Sequence, residues 1–134
     1  MRVLALASAS FSLLIGAASA PDVRFTDITK AAGVDFRHES SATSNKYLVE
    51  TMGGGVAMVD YDNDGRLDLF FTNGAVSPTL EKNGEKYWNR LYRNETEKSG
   101  SLRFVDATKD AGLAGAGYSM GAGAADYDND GDTD

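Results

Sequence analysis

One acidic nonapeptide constrains this chain more than any other feature. Asp60-Tyr61-Asp62-Asn63-Asp64-Gly65-Arg66-Leu67-Asp68 returns 66 residues later as Asp126-Tyr127-Asp128-Asn129-Asp130-Gly131-Asp132-Thr133-Asp134. Carboxylates stand at positions 1, 3, 5 and 9 of both runs, with glycine at 6. Such a density of like charge is unfavourable unless a cation neutralises it, and here the cost is incurred twice. A loop that supplies oxygen from alternate residues suits a hard divalent cation. Calcium takes about six to eight oxygens at roughly 2.3–2.6 Å in a tolerant geometry. Glycine at 6 lets the chain turn sharply, in a conformation that a Cβ would resist. Position 7, Arg66 or Asp132, would offer its backbone carbonyl whatever its side chain. The competing reading is a solvated acidic turn that binds nothing.

An EF-hand shares the first half of this spacing, but it needs a bidentate Glu at position 12 and a helix on each side. Position 12 of the first run is Phe71. The flanks are short apolar runs bounded by glycine and Asn-Gly, Gly54-Gly55-Val56-Ala57-Met58-Val59 before and Leu69-Phe70-Phe71-Thr72-Asn73 after. That is the pattern of buried strands rather than of helices. The loop therefore joins two strands.

The charge balance agrees. Of 20 acidic residues in the chain, nine lie in the two runs, and the remaining 11 face 13 Lys and Arg. The acidity belongs to the loops, and no basic face calls for nucleic acid. With no cysteine in 134 residues, disulfide staples, zinc–thiolate sites and thiol catalysis are excluded from this stretch. Residues 1–20 carry one positive charge, a short apolar core and a small-residue end, Gly16-Ala17-Ala18-Ser19-Ala20. They read as a secretory signal peptide cleaved after Ala20, or after Ala18 because Pro21 suits the first cut poorly. No other run approaches the roughly 20 apolar residues of a membrane span. Export, to the cell exterior or a bacterial periplasm or outer surface, would bring weak calcium sites into a calcium-rich medium.

A second repeat accompanies the first. Phe25-Thr26-Asp27-Ile28-Thr29-Lys30-Ala31-Ala32-Gly33-Val34 matches Phe104-Val105-Asp106-Ala107-Thr108-Lys109-Asp110-Ala111-Gly112-Leu113, 79 residues on. The 13-residue excess over the loop spacing predicts an insertion within residues 36–52, a polar stretch that reads as an exposed loop. Periods of this size point to propellers or solenoids. Residues 23–26 read as a strand end, followed by a helical turn that Asp27 or Thr29 caps and Gly33 closes. Strands are expected at residues 56–59, 67–72, 88–94 and 102–105, with a turn at Asn73-Gly74. The expected fold is all-β, a fragment of a β-propeller with four-stranded antiparallel blades and calcium loops between first and second strands. Repeat 1 spans about 53–118, and repeat 2 begins near 119 and stops before its second strand. A propeller needs at least four blades, so the chain reads as the N-terminal piece of a longer protein.

Gly55-Val56-Ala57-Met58-Val59-Asp60-Tyr61-Asp62-Asn63-Asp64-Gly65-Arg66-Leu67-Asp68-Leu69-Phe70 resembles the FG-GAP/VCBS repeat of integrin-α-type propellers. Three further runs resemble secreted proteins that carry an ASPIC/UnbV domain, the cartilage acidic protein family. They are Phe25 to Thr29 with Ala32-Gly33-Val34-Asp35-Phe36, then Asn89 to Asn94, then Phe104 to Thr108 with Ala111-Gly112-Leu113. The domain that names that narrower family does not occur in these residues. The resemblance implies an exported calcium-binding propeller that serves as a binding scaffold. Its implied ligands are Asp60, Asp62, Asp64 and Asp68 by side chain with the Arg66 carbonyl. In the second loop they are Asp126, Asp128, Asp130 and Asp134, with the Asp132 carbonyl.

Other residues read more plainly. His38, the one histidine, reads as a polar loop residue. Gly53-Gly54-Gly55 lacks the Lys-Ser/Thr of a phosphate cradle and fits tight packing near the propeller axis. Trp88, Tyr92 and Phe104 read as packing between blades, and Asn94-Glu95-Thr96 as a glycosylation sequon in a eukaryotic host. The expected function is a non-catalytic, calcium-stabilised scaffold for a protein or glycan partner. The alternative is the propeller part of an extracellular lyase, hydrolase or dehydrogenase whose catalytic groups lie downstream.

Overall fold

The computed structural model of the chain describes residues 22–133. The expected signal peptide and Asp134 lie outside the described residues.

Four strands, β1 (Val56–Val59), β2 (Asp68–Phe71), β3 (Arg90–Asn94) and β4 (Phe104–Asp106), form one antiparallel sheet in sequence order. Register is set by opposed pairs: Ala57 faces Phe70, Phe70 faces Leu91, and Leu69 faces Tyr92. Large apolar side chains therefore alternate onto both faces of β2 and β3, so each face must be covered. Leu91 is fully buried and Tyr92 nearly so. This meander is the architecture of one propeller blade, as the sequence predicts.

Each face is covered by a different stretch of chain. On one face Phe36 stacks on Phe71 at 4.7 Å, and Phe71 meets Tyr92 edge-on at 5.9 Å. Ile28, Ala32 and Val34 line an apolar pocket with Leu69 and Phe104 on the same face. On the other face Leu113 and the small-residue run Gly121-Ala122-Gly123-Ala124 line an apolar groove along Ala57, Val59, Phe70 and Leu91.

The second repeat is structural as well as sequential. Thr29 N–H donates to Asp27 Oδ1 and Thr108 N–H to Asp106 Oδ1, both at 2.9 Å. Ala32 N–H then reaches the Ile28 carbonyl, as Ala111 N–H reaches that of Ala107. The capping prediction holds with Asp27 in the capping role, and Asp106 plays the same part in the second copy. The strand predicted at residues 23–26 does not form: among the described residues the segment has no ladder partner, and Phe25 is 97 % exposed. Its counterpart Phe104–Asp106 is a strand because β3 lies beside it.

The end of the blade away from the acidic loop is organised by Asn73, and here one expectation fails. Asn73-Gly74 is not a turn. The chain runs on, buried, to a turn at residues 77–80 closed by the Val76–Glu81 bridge. Asn73 Oδ1 accepts from Glu39 N–H at 2.8 Å and Gly74 N–H at 2.9 Å, and Nδ2 donates to the Lys86 and Trp88 carbonyls, each at 3.0 Å. Its own N–H donates to Asn89 Oδ1, and its carbonyl accepts from Ser119 N–H. Gly74 is required because a Cβ there would lie 1.9 Å from the Glu39 carbonyl oxygen. Residues 36–52 form the expected loop, with no residue of it buried, but it is tied to the blade. They dock on this end through Glu39 and through Ser41 Oγ, which donates to the Ala75 carbonyl, and include a short 3-10 turn, Leu48–Thr51. The His38 ring packs against Gly54 in the same docking, and the expected crowding holds for Gly54 and Gly55 but not Gly53.

Lys82 completes this end. Its ammonium donates to the carbonyls of Asn73, Gly74 and Tyr87 at 2.9, 2.9 and 2.7 Å. Burial pushes its pKa down to about 8. An unfolded lysine holds its proton to about 10.4, so between those values unfolding takes up a proton. Stability is therefore expected to rise with pH across that window and to be insensitive to Lys82 below it. Lys82→Met should abolish the rise in denaturant titrations at pH 7.5, 9 and 10. An unchanged slope in the variant would contradict the assignment.

Candidate metal centre

The first acidic loop connects β1 to β2 at the opposite end of the blade. Its conformation is written by the carboxylate at position 1. Asp60 Oδ1 accepts from Asp64 N–H at 3.0 Å and Oδ2 from Gly65 N–H at 2.8 Å. Asp126 does the same in the second loop, with Asp130 N–H at 3.1 Å and Gly131 N–H at 3.0 Å. Position 5 repeats too: Asp64 accepts from Arg66 N–H and Asp130 from Asp132 N–H, both at 2.9 Å. Gly65 and Gly131 have φ of +84° and +97°, the left-handed region that glycine enters without strain. Asn63 and Asn129 share it at +56° and +62°. Sequence reasoning gave these asparagines no role; their tolerance of left-handed backbone was the available signal.

Asp68 differs from the rest of the loop. It is fully buried, and it ties three parts of the blade together. Oδ2 accepts from Tyr61 N–H at 3.0 Å, and Oδ1 accepts from Asn94 N–H at 2.7 Å. The loop is thereby fastened to the end of β3. Asn94 answers with its side chain, Nδ2 donating to the Leu67 carbonyl at 3.0 Å and Oδ1 accepting from Thr96 N–H. The amide of the expected sequon is thus part of the loop's support. Beside it, Arg93 bonds Glu95, with Arg103 at 3.0 Å, and holds the Glu95 carboxyl below the usual carboxylate range.

Two groups of carboxylates converge. Asp60, Asp62 and Asp68 place one oxygen each within 4.8 Å of one another, and so do Asp126, Asp128 and Asp130. Asp64 stands outside the first group, bonded through Oδ2 to the Arg66 guanidinium. Arg66 and Asp132 contribute no side chain to either group, and Asp134 lies outside the described residues. The loops touch: Asn63 Nδ2 donates to Asp132 Oδ1 at 2.7 Å. All-oxygen, anionic donor sets of this kind fit a hard cation such as calcium and not a metal that prefers nitrogen or sulfur.

A family model described as FG-GAP-like repeat matches residues 60–134, more than half of the chain. The chain belongs to the FG-GAP-like repeat family. The matched region begins at the first residue of the first acidic loop and includes the second. No curated protein and no solved structure matches the chain. Among the described residues of this FG-GAP-like protein, no helix is long and apolar enough to cross a membrane.

Proposed function

We propose that this FG-GAP-like chain is a secreted, calcium-binding propeller segment that acts as a non-catalytic scaffold for a protein or glycan partner. The observation that carries the reading is the duplicated loop. Two acidic runs 66 residues apart adopt one hydrogen-bond pattern and each gathers three carboxylates. Asp60, Asp62 and Asp68 would hold the first cation, joined by Asp64 and the Arg66 carbonyl. Asp126, Asp128 and Asp130 would hold the second, joined by Asp134 and the Asp132 carbonyl. The cation would supply the positive charge that lets clustered carboxylates lie close together, so binding energy becomes folding energy. The chain's own residues do the rest: Asp60 shapes the loop, Asp68 locks it to β3, and Gly65 makes the turn.

Secretion is supported by residues 1–20 and by the fit of weak calcium sites to a calcium-rich medium. Kinship with ASPIC/UnbV-domain proteins is supported by the runs at Asn89 to Asn94 and Phe104 to Leu113. Thermal melting tests the reading. Millimolar calcium should raise the midpoint by several degrees over a chelator control, with magnesium far less effective because it requires stricter octahedral geometry. Identical midpoints in calcium and chelator would contradict it.

A further inference from the structure

The two loops share a hydrogen-bond pattern but differ at position 7, where the first has Arg66 and the second Asp132. In the second loop Asp130 stands with Asp126 and Asp128. In the first, the equivalent Asp64 is missing from the group of Asp60, Asp62 and Asp68. Arg66 is what engages Asp64 there. Its Nη2 donates to Asp64 Oδ2 in an ion pair, while its backbone N–H occupies Asp64 Oδ1 at 2.9 Å. Both oxygens of Asp64 are engaged by one residue. The guanidinium is also anchored from behind, because Nε donates to the Asn94 carbonyl at 2.7 Å. That anchor lies where Asn94 N–H meets the buried Asp68 carboxylate, so the Arg66 side chain is held by the blade as well as by its own loop. Asp132 brings no positive charge to the second loop and accepts from Asn63 instead.

We propose that Arg66 is an internal counter-cation that competes with calcium for Asp64, so that the first loop fills only after the second. The inference rests on the calcium reading above and adds an order of filling to it. For Asp64 to ligate through Oδ2, the guanidinium must give that oxygen up. The first loop then starts with its position-5 carboxylate paired to a cation, whereas among the described residues no cationic side chain pairs with the second loop. The competition depends on shape as well as charge. A planar guanidinium can bridge the Asp64 carboxylate and the Asn94 carbonyl at once, whereas a lysine ammonium on a flexible stem is a point charge without the fork. Release of Arg66 also frees the Asn94 carbonyl, which carries the state of the first loop to the β3–β4 connection.

Calcium titration of the full chain in two backgrounds separates the sites. Asp128→Ala removes a second-loop ligand and leaves the first loop reporting; Asp62→Ala does the reverse. In the Asp128→Ala background, Arg66→Gln should tighten calcium binding by about fivefold, the scale of releasing a partly exposed ion pair. Arg66→Lys should tighten it as well, by a smaller factor. In the Asp62→Ala background, Arg66→Gln should change the affinity by less than about twofold, because salt screens the more distant charge. First-loop affinity unchanged by Arg66→Gln overturns the proposal while leaving calcium binding intact. So does a gain in Arg66→Gln with Arg66→Lys indistinguishable from the parent, which would make charge alone the cause. Absence of calcium binding in both backgrounds overturns the calcium reading, and the competition with it.

Discussion

Asp68→Ala is expected to lower the stability of this chain by about 3 kcal/mol even in the presence of a chelator, because hydrogen bonds to charged groups contribute about 1.5–3 kcal/mol each. The carboxylate is fully buried, and its loss leaves the Tyr61 and Asn94 N–H groups without their acceptor. Those two bonds join the acidic loop, the start of β2 and the end of β3, so the effect should spread beyond the loop. Asp68→Asn should recover part of the loss, since one amide oxygen can still accept from one of the two donors while its NH2 opposes the other. Urea titration in chelator, with both variants beside the parent, measures this directly. A cost below about 0.5 kcal/mol for Asp68→Ala, the range of ordinary surface substitutions, would mean that the residue matters for ligation alone. In calcium the same variant should lose further stability, and the difference between the two conditions separates the structural role from the ligand role.

Asn73→Ala is expected to cost a similar amount, about 3 kcal/mol, through a different route. The side chain is buried and satisfies two N–H groups, those of Glu39 and Gly74, and two carbonyls, those of Lys86 and Trp88. Alanine leaves all four without that partner. The loss should also have a place. The Glu39 N–H bond is one of the ties that dock residues 36–52 on the blade, so that stretch should open first. Hydrogen exchange checks the location: the Glu39 and Gly74 amides should lose protection, while Leu91 at the centre of the sheet keeps its rank. Uniform loss across the sheet would show that Asn73 supports global stability without holding the docked segment.

The parts of the fold that were legible in the sequence are those governed by local rules. Alternation and glycine punctuation placed all four strands, and the two repeats set the blade's length. Asp27 and Asp106 cap equivalent turns because capping depends on two or three neighbouring residues. The acidic spacing put Asp60, Asp62 and Asp68 in one group and Asp126, Asp128 and Asp130 in another. What was not legible depends on partners distant in sequence. Asn73-Gly74 has turn composition, yet Asn73 is consumed by Glu39, Asn89 and Ser119, none within ten residues of it. Residues 36–52 are polar, yet their backbone docks where Gly74 leaves space. Residues 23–26 match a strand that exists in the other copy only because β3 lies beside it. The role of Arg66 is not legible because the loop spacing assigns position 7 only a backbone carbonyl, while the side chain acts on a neighbour two residues away.

The central claim is that the duplicated loops are calcium sites, and calorimetric titration of calcium into the full chain tests it most directly. Two saturable sites are predicted for the parent, with one lost in Asp62→Ala and the other in Asp128→Ala. No saturable heat in the parent, or two sites surviving in both variants, would contradict the account. In the first case the carboxylates are solvated turns; in the second, calcium binds elsewhere on the chain.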